Sequence, residues 1–516
     1  MTATTAAGPA TLLDVLGVVS SEMAHQLAVA QKVCVRPLVR RVIDQATGDK
    51  TKVAIACGST RETVCPSCAD KARRLRIQQC AEGWHRTDEP EHTDQLQTDD
   101  DQAGDDQADD DQPDPDGESD SGERRVRSTR RRDDAADLPR VPVEDRTVGR
   151  AFVTPDGREY RPSMFLTLTL PSYGKVRDGV PVDPDRYDYR RAALDALHFP
   201  KLVDRFWQNL RRCAGYKVQY FAAVEPQKRL APHVHAAVRG AIPRAVIRQV
   251  VKATYVQVWW PAFDQPVYVH RVPVWDGTDY VDGDTGQVLP TWDEAVDQAA
   301  TVDQAAHVMR FGTQLDMAGI IAPSDDADRA IRYLTKYLSK SIASTYADPD
   351  GTDSAYAAHA NRLHREVRWL PCSEACANWL CYGVQPKDAG PGLRAGWCSS
   401  KAHDRENLGL GGRRVLVSRQ WSGKTLRQHK ADRVTVVREA LLNAGILAPE
   451  VERLAATVTL PDGRPRFVWT DTKTDPATYT RVILESVAER ARWREQYDRA
   501  KQVGESRSAT DTDPDG

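Results

Sequence analysis

The chain has 516 residues, more than one hydrophobic core usually organises, so we expect two to four domains. Hydrophobic residues make up 40% of it, and polar side chains interrupt its most apolar N-terminal stretch, residues 12–33. That stretch fits neither a membrane span nor a signal peptide, which predicts a cytoplasmic protein with no membrane partner. Ten cysteines in such a compartment indicate metal ligands or free thiols and not disulfides.

The net charge of −3 hides a basic protein. Residues 87–122 contain 16 Asp and Glu and no Lys or Arg, so the rest of the chain carries +13. Such a charge is typical of proteins that bind polyanions, most often nucleic acid, although solvated surface arginines would also account for it. The tract cannot bury enough apolar surface to fold, and we predict a disordered acidic and basic linker over residues 86–148.

A cysteine cluster precedes the linker. After a tail and a helix in residues 1–33, the spacing C-x22-C-x7-C-x2-C suits a tetrahedral structural zinc ion, with a Cys-Pro-x-Cys turn at its end. Four unliganded thiols remain the alternative, and Cys80 reads as an ordinary helix cysteine. A basic helix follows over residues 69–84, so residues 34–85 form a predicted zinc module. Its predicted ligands are Cys34, Cys57, Cys65 and Cys68.

A second ordered region begins near residue 150. Residues 164–170 alternate leucines with Phe165, Thr167 and Thr169, the pattern of a strand with one polar face. Residues 189–213 read as a helix, and residues 218–240 read as a hairpin of two strands. A further helix is expected over residues 242–260, followed by an insert rich in Trp and Asp.

The second strand of that hairpin carries His233 and His235. Alternate residues share a face of a strand, so the two imidazoles would lie about 7 Å apart along it. Glu225 ends the first strand and would complete a three-ligand site with open positions. Two partly exposed histidines, and a glutamate paired with Lys228 or Arg229, are the plainer alternatives.

A helix with two faces is predicted over residues 324–342. Ser324 is a good N-cap, and one side carries apolar residues at helical spacing. The opposite side carries two tyrosines one turn apart, each followed three residues later by a lysine. A solvated surface would also explain this face, whose residues are Tyr333, Lys336, Tyr337 and Lys340.

The C-terminal part holds four more cysteines in an uncommon spacing, which we interpret as structural thiols: Cys372, Cys376, Cys381 and Cys398. Residues 401–425 form a basic, glycine-rich loop suited to phosphate contacts, with His403, Arg405 and Arg419 among its members. Helices are expected over residues 434–444 and 479–501, and a disordered tail over residues 503–516.

Three motifs occur in a fixed order: Phe165-Leu-Thr-Leu-Thr169, Pro232-His-Val-His235, and Tyr333-Leu-Thr-Lys-Tyr-Leu-Ser-Lys340. Together they resemble the motifs of the HUH endonuclease superfamily of rolling-circle replication initiators. The likeness is greatest to the initiators of actinobacterial plasmids and integrative conjugative elements, which also place a Cys-Pro-x-Cys turn before the catalytic domain. It covers about residues 30–85 and 150–430.

The resemblance implies an α+β fold, in which a central antiparallel sheet flanked by helices follows a small zinc module and the acidic linker. It implies Mg²⁺ or Mn²⁺ on the two histidines, with Glu225 matching the third ligand. Tyr337 matches the nucleophile best, Tyr333 matches the partner of two-tyrosine members, and Lys336 and Lys340 would orient phosphate. The implied activity is a site-specific nick in origin DNA through a 5′-phosphotyrosine, which leaves a 3′-hydroxyl primer.

These inferences place an HUH nickase domain at residues 150–345 and a basic accessory region at residues 346–502. A host helicase and replication machinery are expected partners, since no P-loop is present in the sequence. A two-tyrosine HUH transposase and a non-catalytic zinc-dependent DNA-binding protein are the alternatives. The predicted DNA contacts are Arg73, Arg74, Thr167, Thr169, Arg413, Arg414 and Lys424.

Overall fold

The computed structural model describes residues 20–86, 88–89, 132–138, 141–148, 151–153, 155–157, 159–299, 304–322, 324–342, 345, 354–443 and 458–510. The predicted N-terminal tail, most of the acidic linker and the last six residues lie outside these ranges. The chain divides into two compact units, residues 1–79 with 425–516 and residues 80–424. The predicted boundary near residue 345 therefore falls inside one unit, and residues from 425 onward join the cysteine module.

Helices and strands follow one another throughout the described chain. The helices are α1 (Ser21–Ala30), α2 (Pro66–Trp84), α3 (Tyr189–Ala214), α4 (Arg244–Ala253), α5 (Trp292–Ala299), α6 (Asp325–Leu334), α7 (Ser354–Trp369), α8 (Leu426–Asn443) and α9 (Pro476–Thr510), with 3-10 turns at Ala377–Tyr382 and Lys401–His403. The strands are β1 (Leu38–Asp44), β2 (Lys50–Ile55), β3 (Phe152–Val153), β4 (Glu159–Leu168), β5 (Val176–Arg177), β6 (Val180–Pro181), β7 (Tyr220–Pro226), β8 (Pro232–Arg239), β9 (Tyr255–Val258), β10 (Val274–Trp275), β11 (Tyr280–Val281), β12 (His307–Arg310), β13 (Leu315–Ala322), β14 (Val415–Val417) and β15 (Phe467–Asp471).

The first unit is built around a small antiparallel sheet in the order β15-β1-β2. Strand β15 pairs with β1 across more than 400 residues of sequence, with Val42 opposite Trp469. Helix α9 packs against α1, and Ile483 and Leu484 of α9 are buried in one cluster with the cysteines of the N-terminal module. The C-terminal helix thus completes the core of the cysteine module.

The second unit is organised by an antiparallel sheet in the order β13-β4-β8-β7-β14, with β3 added beside β4. Strands β7 and β8 form the predicted hairpin and place Glu225 opposite His233. Strand β4 lies on the other side of β8 and places Thr167 opposite His235. The prediction of an α+β protein with antiparallel sheets is confirmed.

The two faces of this sheet differ in what covers them. Val234, Ala236 and Val238 of β8 join the main hydrophobic core, which also contains Phe206 and Leu210 of α3. Alternation along the strand sends the two histidines to the opposite face. Helix α6 contacts β8 and β13, and its Tyr333 ring lies 6.0 Å from the ring of Phe165, so α6 covers the histidine face.

Helix α3 begins and ends with the signals expected from its sequence. The Asp188 side chain accepts a hydrogen bond from the backbone N–H of Arg191, which caps the first turn. Gly215 ends the helix with φ 74°, a conformation that glycine adopts without steric cost. The predicted helix over residues 189–213 is therefore confirmed almost to the residue.

Two predicted helices have different limits. The helix expected over residues 242–260 stops at Ala253, because the buried Thr254 hydroxyl donates to the carbonyl of Val250 and the next residues form β9 against β12. Helix α9 continues to Thr510, past the start of the tail expected from residue 503. Among the described residues, no helix combines the length and apolarity that crossing a bilayer requires.

Candidate functional site

Two neighbouring strands, β7 and β8, bring the predicted metal ligands together. The loop between β7 and β8 closes with a hydrogen bond from the Gln227 N–H to the Ala231 carbonyl, 2.7 Å long. This closure sets the register that puts Glu225 beside His233. One potential ligand atom from each of Glu225, His233 and His235 lies within 4.8 Å of the others.

The two imidazoles converge on one point. The Nε2 atoms of His233 and His235 are 2.7 Å apart. Two nitrogens bound to one metal at about 2.1 Å and at a right angle would be about 3 Å apart, close to this value. Without a metal, the same distance suits a hydrogen bond between the rings. The two nitrogens would therefore need to move apart only slightly to bind the same cation.

The other nitrogen of each ring is held by a neighbour. Nδ1 of His233 donates to the backbone carbonyl of Glu225 at 2.8 Å, so the neutral ring presents an unprotonated Nε2. Nδ1 of His235 is 2.9 Å from the Thr167 hydroxyl. Hydrogen bonds of this kind orient metal-binding histidines and set their tautomer. Thr167 therefore orients the His235 ring and does not project freely toward DNA.

Burial sets the protonation of the cluster. It lowers the pKa of His233 to about 4 and that of His235 to about 3, which keeps both rings neutral and able to bind a metal at pH 7. It raises the pKa of Glu225 to about 7, against the opposing influence of Arg414 and Lys336. A bound cation would offset the free-energy cost of burying the charged carboxylate.

Glu225 also shows the strongest sign of an absent partner. Its side chain is 1% exposed, and its Oε1 atom has no hydrogen-bond partner among the described residues. Buried polar atoms almost always have a partner, because an unpaired one costs several kcal/mol. A divalent cation is the partner that two neutral imidazoles and a carboxylate fit.

Of the two tyrosines, Tyr333 reaches the histidines. Its hydroxyl is 3.3 Å from Nε2 of His235, and the two rings meet edge to face at 4.9 Å. The residue is 45% exposed, so solvent reaches part of it. The resemblance matches Tyr337 best to the nucleophile, whereas the tyrosine hydroxyl that lies beside the histidines is that of Tyr333.

Tyr337 lies beyond the end of α6. The predicted helix to residue 342 is wrong, because α6 ends at Leu334 and tighter turns follow. The buried Thr335 hydroxyl donates to the Ile331 carbonyl, and the Arg414 guanidinium donates to the carbonyls of Tyr337 and Lys340. The Arg414 guanidinium thus occupies carbonyls that the next turns of a continuing helix would have used.

Two lysines accompany Tyr337. Nζ of Lys336 lies 4.9 Å from the centre of the Tyr337 ring, and Nζ of Lys340 lies 5.9 Å from it. Both lysines are exposed. This arrangement puts two cations beside the ring of the second tyrosine. Arg414 ties the same segment to the sheet through the carbonyl of Val224.

The other predicted DNA contacts differ in exposure. Thr169 is buried and its hydroxyl donates to the Gln314 carbonyl, and Arg414 is bound to backbone carbonyls, so neither is available to DNA. Arg413 and Lys424 are exposed, although Lys424 lies 3.9 Å from Glu82. Arg73 and Arg74 both pair with Asp70 on α2 and keep one third to one half of their side-chain surface exposed.

The N-terminal cysteines form the predicted cluster. Potential ligand sulfurs of Cys34, Cys57, Cys65 and Cys68 all lie within 4.8 Å of one another, and Sγ of Cys65 is 3.8 Å from Sγ of Cys34. Two thiolates on a tetrahedral zinc ion are about 3.8 Å apart. Cys80 is buried farther along α2 and is not a member of this group.

A second group of potential ligands was not predicted from the sequence. Cys372, Cys376 and Cys398, interpreted as structural thiols, meet His403, which was assigned to the phosphate loop. Cys381 stays outside the group. The available signal was a Cys-x4-His pair at residues 398–403 downstream of a Cys-x3-Cys pair at residues 372–376.

Two imidazoles, a carboxylate and the hydroxyl of a tyrosine on α6 thus meet on one face of an antiparallel sheet, and the first three could hold a metal ion. The sequence matches the RepSA family, described as "Replication initiator protein, pSAM2", over residues 20–489. The chain therefore belongs to this family of replication initiator proteins, and that part of the prediction is confirmed.

A curated relative gives a weaker match. A replication initiator protein of Streptomyces ambofaciens is 28% identical over an alignment 222 residues long, and the match covers 36% of this chain. The match spans 43% of that relative, less than half of its length. No solved structure matches the chain significantly.

Proposed function

We propose that this replication initiator nicks one strand of plasmid origin DNA by tyrosine attack, as the likeness to HUH endonucleases implies. The observation that carries the proposal is the hydroxyl of Tyr333, 3.3 Å from a histidine that shares a potential metal site with another histidine and a buried carboxylate. A protein that only binds DNA has no need for this convergence.

Glu225, His233 and His235 would hold Mg²⁺ or Mn²⁺. The unpartnered Oε1 of Glu225 and the two neutral imidazoles fit such an ion. A bound divalent cation supplies Lewis-acid polarisation of the scissile phosphate. Thr167 and the Glu225 carbonyl keep both rings aimed at the ion, and the closed shape of the hairpin keeps the three ligands in place.

Tyr333 is the nucleophile that the geometry favours for the first transfer. Its oxygen attacks the phosphorus and forms a phosphotyrosine, while the bond from phosphorus to the 3′-oxygen breaks. The phenol proton leaves to solvent, which reaches this half-exposed side chain, and the departing 3′-oxygen takes up a proton. The product is a 5′-phosphotyrosine and a free 3′-hydroxyl that can prime synthesis.

Tyr337 is the candidate for the second transfer. It is flanked by Lys336 and Lys340, whose charges attract phosphate. Attack by this second hydroxyl on the next origin copy would release one strand and restart the cycle. Arg414 holds the segment that carries it, and so acts as a positioning residue.

The cysteine module and the exposed basic residues would serve DNA recognition. A structural Zn²⁺ on Cys34, Cys57, Cys65 and Cys68 would order the start of α2, where Arg73 and Arg74 lie. Arg413 and Lys424 would contact phosphates near the sheet. Host helicase and replication proteins would extend the primer in the cytoplasm.

The test is covalent capture. Purified full-length protein is incubated with Mn²⁺ and labelled single strands that cover the plasmid origin, and adducts are separated on denaturing gels. We expect an adduct from the natural chain and from Tyr337→Phe, and none from Tyr333→Phe or from His233→Ala.

An adduct that survives in Tyr333→Phe and disappears in Tyr337→Phe would restore the order expected from the sequence. Complete absence of adducts across tiled origin strands would favour a non-catalytic DNA-binding protein. Each variant also needs an unchanged circular-dichroism melt, so that loss of the adduct reports chemistry and not folding.

A further inference from the structure

The strongest unassigned feature of the molecule is the cluster of Cys372, Cys376, Cys398 and His403. It lies in the second unit, between the end of α7 and the 3-10 turn Lys401–His403. Its members come from two segments separated by more than 20 residues, so only the fold brings them together. We propose that these four side chains bind a structural zinc ion, separate from the N-terminal cysteine cluster.

The distances match one tetrahedral ion. Sγ of Cys372 is 3.9 Å from Sγ of Cys398, and Sγ of Cys376 is 3.6 Å from Nε2 of His403. Bonds of about 2.3 Å to sulfur and about 2.0 Å to nitrogen predict edges of about 3.8 Å and about 3.5 Å. All four ligand atoms lie within 4.8 Å of one another.

Neither a disulfide nor thiol hydrogen bonding accounts for the cluster as well as a metal does. A disulfide requires sulfurs about 2.05 Å apart, and all three cysteines are free thiols here. Weak thiol hydrogen bonds would pair two groups at a time and would not collect four at one point. A zinc ion uses all four at once, which is the closed Cys3His arrangement of structural sites.

The surroundings of His403 are those of a zinc ligand. Its Nδ1 donates to the backbone carbonyl of Val367 at 2.8 Å, so the neutral ring turns an unprotonated Nε2 toward the sulfurs. Its own carbonyl is 2.9 Å from Nε2 of His364 on the same helix, α7. Two contacts to one helix hold the ring in the orientation that the metal needs.

The ion would anchor the loop after His403, which contacts the segment that carries Tyr337. The backbone carbonyl of Glu406, three residues after His403, accepts a hydrogen bond of 2.8 Å from the N–H of Ile342. Ile342 ends the described segment that carries Tyr337 and is buried in the main core. Four protein ligands leave no open position, so the role of this zinc is positional and not catalytic.

The test is a zinc count on the full chain by native mass spectrometry and elemental analysis. We expect the natural protein to hold two zinc ions, and Cys376→Ser and Cys65→Ser to lose one each. Cys381→Ser is the matched control, because Cys381 is also buried nearby but lies outside the cluster, and it should keep both.

If Cys376→Ser loses zinc and Cys65→Ser does not, the result would still support this site and would show that the N-terminal cluster is empty. Equal zinc content in Cys376→Ser and in the natural protein would overturn the proposal. Because a variant can lose zinc by misfolding, zinc X-ray absorption on the natural protein is the second readout. It should show about one nitrogen for every seven sulfurs, whereas a signal from sulfur alone contradicts the Cys3His site.

Hydrogen exchange would then report the consequence. Zinc loss in Cys376→Ser should speed amide exchange at least tenfold in residues 398–410 and in Ile342, and leave strands β7 and β8 unchanged. This readout needs neither origin DNA nor nicking, so it stays informative whether or not the proposed strand transfer takes place.

Discussion

The hydroxyl of Thr167 offers a direct test of the proposed metal site. Thr167→Val keeps the shape and the β-branch of the side chain but removes the group that lies 2.9 Å from Nδ1 of His235. The ring then loses the partner that orients it, and a buried nitrogen is left unpaired. Loss of such a partner typically lowers metal affinity by about 10- to 100-fold, or about 1.4–2.7 kcal/mol.

The assay is a titration of the full chain with Mn²⁺, followed by calorimetry or by the electron paramagnetic resonance of free Mn²⁺. Thr169→Val, one residue beyond the end of β4, is the matched control, because its hydroxyl donates to the Gln314 carbonyl and touches no proposed ligand. It should cost about 1 kcal/mol of stability and leave Mn²⁺ affinity unchanged. Equal Mn²⁺ affinity in Thr167→Val and the natural protein would refute the assigned role of Thr167.

Three further changes test other parts of the site and the core. Glu225→Gln should weaken Mn²⁺ binding at least tenfold by calorimetry, yet leave the melting temperature unchanged or higher, since it removes a buried, unpartnered carboxylate oxygen. Arg414→Lys should lower the free energy of unfolding in urea by about 2–3 kcal/mol, because backbone carbonyls lose their donors. Burial lowers the pKa of His198 from 6.5 to about 3. Between these two pH values the unfolded chain binds a proton at His198 and the folded chain does not. The free energy of unfolding therefore falls as the pH drops through this range. His198→Phe should remove about 2 kcal/mol of the difference in unfolding free energy between pH 7 and pH 5.

Each of these three predictions can be contradicted by a specific result. Unchanged Mn²⁺ affinity in Glu225→Gln would exclude this carboxylate as a ligand. The exposed Arg413 is the control for its neighbour, and equal effects of Arg413→Lys and Arg414→Lys would contradict the tether. An acid sensitivity that His198→Phe does not alter would assign it to other groups.

The sequence revealed the parts of the site that depend on local periodicity. Strict alternation separated His233 and His235 from the core-facing valines of the same strand, and the short loop between β7 and β8 placed Glu225 next to them. The spacing of the N-terminal cysteines likewise predicted their cluster. Burial of the histidines needed the structure, because it depends on α6 covering that face.

The parts that the sequence missed depend on contacts between distant segments. The sequence of residues 335–342 does not predict that Arg414, more than 70 residues later, donates hydrogen bonds to carbonyls in this segment. The choice between Tyr333 and Tyr337 rests on one distance to His235, which helix packing sets. The Cys3His cluster and the pairing of β15 with β1 are long-range in the same sense.

The central claim is that Tyr333 becomes covalently joined to origin DNA, and trypsin provides a direct measurement of it. Cleavage after Arg332, Lys336 and Lys340 puts the two tyrosines into separate peptides, residues 333–336 and 337–340. After the captured adduct is digested with nuclease and trypsin, mass spectrometry should find the nucleotide mass on residues 333–336. A nucleotide found only on residues 337–340, or on a peptide from elsewhere in the chain, would contradict the account.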